Sequence, residues 1–398
     1  MDLRIFTNNV EGQALNQIYT LAKLPVFENC KIRIMPDVHA GKGCVIGFTA
    51  DLGEKVIPGV VGVDIGCGML TVELGQIDIN LKKLDEIVHK VVPAGINVHA
   101  HTSAVVDTEY LQKLICYPSL IHQEHILASM GTLGGGNHFI EIDQNSKGEK
   151  FLVIHTGSRN LGKQVAEIYQ QLAIDTLSGK INYRDKLNAL IAEYKNAGRQ
   201  GELQDAIEKF NEEFKAQHPN IPEDLCYLEG IDRENYLHDM KICQKFAVAN
   251  RATIAEAICK AMGWTPIGSF ETIHNYISFK DNIVRKGAIS AYKGQKVLIP
   301  MNMRDGCIIG VGKGNDEWNQ SAPHGAGRIM SRGKAKESIK LEDFQEAMKG
   351  IYSTTVTQAT IDESPFAYKP MEEIVEGIKD TVEIKDIIKP IYNFKATE

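Results

Sequence analysis

Glycine-bracketed turns that follow short Val/Ile-rich runs constrain this chain more than any other feature. The runs Lys31–Met35, Val45–Thr49, Phe151–His155, Lys296–Ile299 and Cys307–Val311 are bounded by Gly, Asn, Asp or Pro and read as strands. Longer segments with an apolar residue every three or four positions, Leu81–Val92, Leu161–Leu177, Asp239–Met262 and Met371–Ile378, read as helices. The two textures together predict an α+β fold. We expect one large domain over residues 1–398, with mixed β-sheets surrounded by helices and the active site in the strand-end loops. A charged stretch, Tyr183–Gln217, splits at Gly198–Gly201 into two helical patterns. The first is expected to bury Leu187, Leu190, Ile191 and Tyr194, the second Leu203, Ile207, Phe210 and Phe214. It reads as a helical hairpin inserted into the body and ended by His218-Pro219. The tail, Thr381–Glu398, alternates Ile and Lys and is expected to pack back on the body.

Composition narrows the class. Lys and Arg number 44 against 51 Asp and Glu, a net charge of −7, which argues against a uniformly basic nucleic-acid coat while leaving room for a local basic cleft. The apolar run Val56–Leu70 is broken by Pro58, Asp64 and four glycines, so it cannot span a membrane. Eight scattered cysteines without a C-x-x-C pair exclude a zinc ribbon and a disulfide scaffold. Met1–Val10 lacks the basic start and apolar core of a signal peptide, and a cytoplasmic location is expected.

Five turns hold the reactive residues. Met35–Gly43 offers Asp37, His39 and Lys42, as a functional turn or as a polar turn capped by its own Asp. In Gly62–Met69, Asp64 and Cys67 either converge on a cation or are a turn-forming Asp beside a buried Cys. A mixed carboxylate and thiolate pair would suit Zn²⁺ or Mn²⁺ better than Ca²⁺. Gly131–Glu141 has three consecutive glycines before Asn137 and His138, a phosphate cradle or a flexible entry to a strand. Phe151–Lys163 approaches a P-loop, but Gln164 stands where Mg²⁺ would need Ser or Thr. A strand ending in His155, followed by an anion-binding helix N-terminus with Arg159, fits better. Gly310–Lys336 places His324 between small residues and ahead of Arg328, Arg332, Lys334 and Lys336, as a nucleophile or ligand facing a phosphate or as a solvated basic helix start. His274 has no local context. Together these residues are the inventory of a one- or two-metal site that handles phosphates.

The blocks Met35–Gly43, Val61–Met69, Gly131–Ile142, His155–Gly162, His274–Tyr276, Pro323–Arg328 and Met330–Lys336 resemble, in the same order, the signature blocks of the RtcB family of RNA-splicing ligases. Asn250-Arg251, Lys286-Gly287-Ala288 and Ala367-Tyr368-Lys369 match as well, so the resemblance runs from about residue 30 to the C-terminus. It implies a ligase dependent on GTP and two Mn²⁺ ions, whose partner is RNA with 3′-phosphate or 2′,3′-cyclic phosphate ends and 5′-hydroxyl ends. It makes Asp64, Cys67, His138, His155 and His274 the metal ligands and His324 the residue that carries GMP. Asn137, Phe139, Glu141, Asn275, Tyr368 and Lys395 fall where the family contacts guanylate, as do Gly325, Ala326 and Gly327 beside the nucleophile. Two family serines that help hold the nucleotide are replaced here by Asn302 and Cys307.

Two other classes share this inventory, a dinuclear metal phosphodiesterase and a non-catalytic RNA-binding protein with a structural metal. GTP dependence separates the first from a ligase, and neither needs His324 to hold its metal. The resemblance also allows an accessory activating protein as a partner.

Overall fold

The computed structural model describes residues 2–102, 105–217 and 221–396, so the expected helix end at His218-Pro219 lies outside the described residues. Two sheets carry the α+β fold. The larger has seven strands in the order Lys296–Asn302, Gly306–Gly312, Val382–Lys395, Phe139–Gln144, Lys150–Thr156, Gly68–Gly75 and Gly268–Ile273, with every neighbouring pair antiparallel. The smaller runs Asp2–Ile5, Lys31–His39, Ile46–Asp51, Ile283–Lys286 and Asn275–Ile277, and only its first pair is parallel. Mixing of direction is thus confined to the smaller sheet. The chain crosses from one sheet to the other at His274, the one residue between Gly268–Ile273 and Asn275–Ile277.

A long helix, Gly230–Met262, ties the two sheets together. Its Tyr236, Met240, Cys243 and Phe246 pack with Ile32, Ile34 and Phe48 of the smaller sheet. Its Ile254 and Ile258 pack with Leu70, Val72, Ile140 and Ile154 of the larger. The apolar period read from the sequence starts the helix at Asp239. Asp239 is instead a buried interior residue that accepts hydrogen bonds from the Ile115 and Cys116 amides and the Tyr169 hydroxyl, so the helix begins earlier, at Gly230.

The tail packs on the body as expected, and it does so as Val382–Lys395, an interior strand of the larger sheet. Pro390 obscures this in the sequence, and the register shift between Pro390 and Tyr392 is what lets a central strand accommodate it. The hairpin forms, as Lys180–Asn196 and Leu203–Gln217, held by Tyr183 against Phe210 and Phe214. Its expected buried positions are only half-buried, because the two helices have little beside each other to pack on. Replacing Tyr183–Gln217 with a short Gly-Ser linker is therefore expected to leave cooperative unfolding intact and to shift the melting temperature by only a few degrees. Loss of the near-UV circular dichroism of the folded body would show that the hairpin completes the core.

Candidate active site

Register brings the candidate ligands together. Phe139 lies opposite His155, and Gly68 lies opposite both Thr156 and Ile273. The residues flanking these positions, Cys67, His138, His155 and His274, therefore emerge at one level at the same end of four adjacent strands. The Cys67 Sγ sits 3.5 Å from His138 Nε2 and 3.3 Å from His155 Nε2. His155 Nε2 is 3.3 Å from His274 Nε2, and His138 Nε2 is 3.0 Å from Asp64 Oδ2. Asp64 reaches the cluster across the loop after His155, where a Cβ on Gly157 would fall 2.0 Å from its Oδ1. Only glycine fits there.

The backbone sets the tautomers. His138 Nδ1 lies 2.8 Å from the Leu133 carbonyl and His155 Nδ1 lies 3.1 Å from the Asn137 carbonyl. Both ring protons belong on Nδ1, so the Nε2 lone pairs point at the thiol and at one another. Burial drives His155 and His274 well below the ordinary imidazole range, so they stay neutral. Burial, reinforced by the Asp64 charge, pushes the Cys67 thiol well up. The arrangement is five inward-facing donor groups with few protons to share, which is the arrangement a cation resolves.

The long helix fastens the loops that present these groups. Asn250 accepts from the Gly131 and Thr132 amides and donates to the Thr132 and Gly157 carbonyls. Arg251 donates to the carbonyls of Gly66 and Thr156 and pairs with Glu271. Neither residue had a role assigned from the sequence, since the loop carbonyls and amides they bind lie about a hundred residues or more away along the chain.

His324 stands apart from the ligand cluster yet beside it, its ring 4.8 Å from that of His274. It follows the short strand Ser321–Pro323 and is tied to the smaller sheet by Asp37. One carboxylate oxygen, Oδ2, accepts from the His324 backbone N–H at 3.1 Å and lies 2.7 Å from His324 Nδ1. The turn expected at Met35–Gly43 is strand as far as His39, with a register shift between Ile34 and His39 that re-aims Asp37. Gly327 has φ +76° and its missing Cβ would lie 2.2 Å from the Asp37 carbonyl, so the small residues after His324 permit the close approach.

A cavity of about 330 Å³ opens over both features. Asp64, Cys67, His155, His274 and His324 line it, and His138 lies just behind. Asn137, Phe139, Glu141 and Cys307 form another part of its wall, with Asn275 and Asn302. Gly325, Ala326, Gly327, Tyr368 and Lys395 complete it. Among these, Asn302 is committed to its own turn, accepting from the Arg304 and Asp305 amides and donating to Asp305. Asn275 locks the loops instead, donating to the Asp64 carbonyl and accepting from the Gly287 amide.

A family model described as tRNA-splicing ligase RtcB matches residues 17–117 and 117–396. The chain belongs to the RtcB family. It is similar to the RNA-splicing ligase RtcB of Escherichia coli K12, 31% identical over 94% of this chain and 92% of that protein. It is also similar to the tRNA-splicing ligases RtcB of Nanoarchaeum equitans, at 26% identity over 92% of this chain and 87% of that one, and of Aeropyrum pernix, at 28% over 86% and 83%.

In this RtcB family member the basic run after His324 is less free than the sequence suggests. Arg328 and Arg332 pair with the buried Glu363 at 3.3 and 2.7 Å, and Arg332 also with Asp362 at 2.5 Å. Lys395 pairs with Glu363 at 2.6 Å and Tyr368 donates to it at 2.8 Å. The P-loop-like lysine, Lys163, is exposed beside Glu167 and lines no part of the cavity. The amide of Ser158, at the start of that helix, is taken by Asp64.

Glu363 was missed because nothing near it in sequence marks it. Burial opposes its ionisation, but Lys395 and Arg332 hold its carboxyl down to about 2. Because the folded value is depressed, the stabilisation is present at neutral pH and fades as pH falls from the ordinary glutamate range towards 2. Glu363→Gln is expected to destabilise the protein by about 3 kcal/mol at neutral pH, since it strands buried cations. Denaturant unfolding should show the gap to wild type narrowing between about pH 5 and pH 2.

Proposed function

We propose that this chain is an RNA ligase acting in tRNA splicing or RNA repair. It joins an RNA 3′-phosphate, or a 2′,3′-cyclic phosphate after its opening, to a 5′-hydroxyl, using GTP and two Mn²⁺ ions. The observation that carries this reading is the presence of two kinds of histidine in one cavity. Three converge with Cys67 and Asp64, whereas His324 has its Nδ1 engaged by Asp37 and its Nε2 without a hydrogen-bond partner among the described residues. A metal-dependent hydrolase has no use for the second kind. The names of the relatives, RNA-splicing and tRNA-splicing ligases, support the same substrate class.

The donor set fits the metal. A thiolate, a carboxylate and three neutral imidazoles form a mixed hard and soft set that suits Mn²⁺. The distances divide it into Asp64 with His138 and His155 with His274, with Cys67 between the two groups. Bound there, the ions would supply positive charge to offset the triphosphate.

His324 Nε2 attacks the α-phosphorus of GTP. The N–P bond forms, the α–β phosphoanhydride breaks and pyrophosphate leaves. Asp37 holds the Nδ1 proton and offsets the charge that develops on the ring. An oxygen of the RNA 3′-phosphate then takes the guanylyl group from His324. The 5′-hydroxyl attacks the activated 3′-phosphorus, GMP departs, and a 3′,5′-phosphodiester remains. Lys395, Tyr368 and the glycine-bracketed segment after His324 stand where guanylate would lie.

Incubation with radiolabelled GTP and Mn²⁺, followed by a denaturing gel, tests the reading. Label that stays with the protein, lost in acid and kept in alkali, is expected of a phosphoramidate. RNA cleavage without any protein label would favour the hydrolase. Cys67→Ser should lower retained Mn²⁺ and strand joining by on the order of 100-fold, because an alcohol is a poor replacement for a thiolate ligand. Metal content after gel filtration measures this, and full retention of metal and activity would remove Cys67 from the site.

A further inference from the structure

A further histidine of the cavity shares the circumstances of His324 but not its task. His39 ends the strand Lys31–His39, opposite Ile46, and both residues line the cavity. Its Nδ1 lies 3.0 Å from the main-chain carbonyl of Asp37, the residue whose Oδ2 lies 2.7 Å from Nδ1 of His324. A carbonyl only accepts, so the His39 ring proton sits on Nδ1 and Nε2 keeps its lone pair. That atom has no hydrogen-bond partner among the described residues. One residue, Asp37, thus sets the tautomer of two histidines on the same cavity. The contact to His39 is with the Asp37 main chain, so Asp37→Asn leaves it in place.

The loop after His39 is braced from behind. Glu11 Oε1 accepts from the Ala40 amide at 2.8 Å, and Gln17 Oε1 accepts from the Gly41 amide at 3.2 Å. Gln17 Nε2 returns a hydrogen bond to the Gly41 carbonyl at 2.7 Å. Gln17 belongs to the helix Gly12–Ala22, and Glu11 is its N-cap residue. A ring that acts on substrate needs such support.

The other proton acceptors of the cavity are committed. Asp64, Cys67, His155 and His274 converge as the ligand set. Glu363 is taken by Arg328, Arg332 and Lys395, and Glu141 is bonded to Asn393. Guanylylation uses Nε2 of His324, and transfer to RNA uses a phosphate oxygen that is already ionised. Joining is different, because its nucleophile is an alcohol whose proton must leave.

We propose that His39 is the general base of the joining step, its Nε2 taking the proton of the RNA 5′-hydroxyl. The proposal rests on the ligase reading above. As the proton passes to Nε2, the 5′-oxygen bonds to the activated 3′-phosphorus and the phosphoanhydride to guanylate breaks. GMP leaves, and the imidazolium returns its proton to water. The titratable and charged groups that face His39 are Asp37, His324 and Arg328. Burial, helped by His324 and Arg328 and opposed by Asp37, holds His39 below the ordinary imidazole range, so the base is neutral at pH 7.

His39→Asn tests this, since its side-chain N–H can replace the Nδ1 contact while no basic atom remains. Single-turnover joining of RNA that already carries a 3′-guanylate should fall by about 10² to 10⁴-fold, the usual contribution of a general base. Labelling of His324 with radiolabelled GTP should stay near wild type, and guanylylated RNA should accumulate. Wild-type joining should decline on acidification below the ordinary imidazole range, whereas the residual rate of His39→Asn should climb steadily with hydroxide. Wild-type joining of the pre-activated RNA by His39→Asn overturns the assignment, even if opening of a 2′,3′-cyclic phosphate is then lost. Equal loss of labelling and joining, or an unchanged pH profile, overturns it as well. The ligase reading fails separately, if the wild-type chain itself takes no GMP label.

Discussion

Replacing His324 with alanine is expected to abolish both covalent GMP labelling and strand joining while leaving bound Mn²⁺ in place. His324 makes none of the contacts that draw His138, His155 and His274 to Cys67, so its removal subtracts nothing from the donor set. Its Nδ1 is spent on Asp37, which leaves Nε2 as the one ring atom able to form a bond to phosphorus. Half-buried at the cavity wall beside Gly325, Ala326 and Gly327, it has no bulky follower to block a triphosphate. Loss of the nucleophile should cost at least about 10⁴-fold, the scale seen when a catalytic nucleophile is deleted. Radiolabelled GTP, a denaturing gel and metal analysis on the same preparation distinguish the outcomes. Persistent GMP label would assign the bond to another residue, and lost metal would show that His324 supports the ligand cluster.

The candidate site was legible where function coincides with local backbone demands. Gly157 and the glycines of Gly62–Met69 and Gly131–Glu141 are needed because strand ends must turn sharply around polar side chains, and that need is written within a few adjacent residues. Asp64, Cys67, His138 and His155 sit in or beside those same turns, and His324 is followed by Gly325 and Gly327 in a turn of its own. His274 has no such turn; only the crossing between sheets gives it a place. What could not be read is whatever depends on a distant partner. Glu363 neutralises Arg328, Arg332 and Lys395, and no pattern around Thr357–Ser364 announces it. The same holds for Asn302, whose amide looks free as a nucleotide contact until its turn is built. Val382–Lys395 was hidden by Pro390, which is ordinarily a sign against a central strand. The hairpin was legible in period but not in burial, because periodicity reports which face is apolar and not whether anything covers it.

Asp37→Asn is expected to slow guanylylation by about 10² to 10⁴-fold without loss of metal or fold. Asp37 is fully buried, and its Oδ2 serves both the backbone N–H and the Nδ1 of His324. An asparagine can keep its amide oxygen in that place, so the hydrogen bonds and the position of the ring can survive. The charge cannot. Attack on phosphorus converts a neutral imidazole into an N-phosphorylated imidazolium, and the carboxylate 2.7 Å from Nδ1 offsets that charge in a site shielded from water. If the amide turns the other way, its NH₂ faces Nδ1 and forces the ring proton onto Nε2, which removes the lone pair that attacks. Both orientations slow the same step. Single-turnover labelling with GTP should therefore fall steeply in Asp37→Asn, whereas ligation from RNA already activated with guanylate should be nearly unchanged, because that step no longer uses His324. Equal loss in both steps would make Asp37 a structural tie, and wild-type labelling rates would remove it from the mechanism.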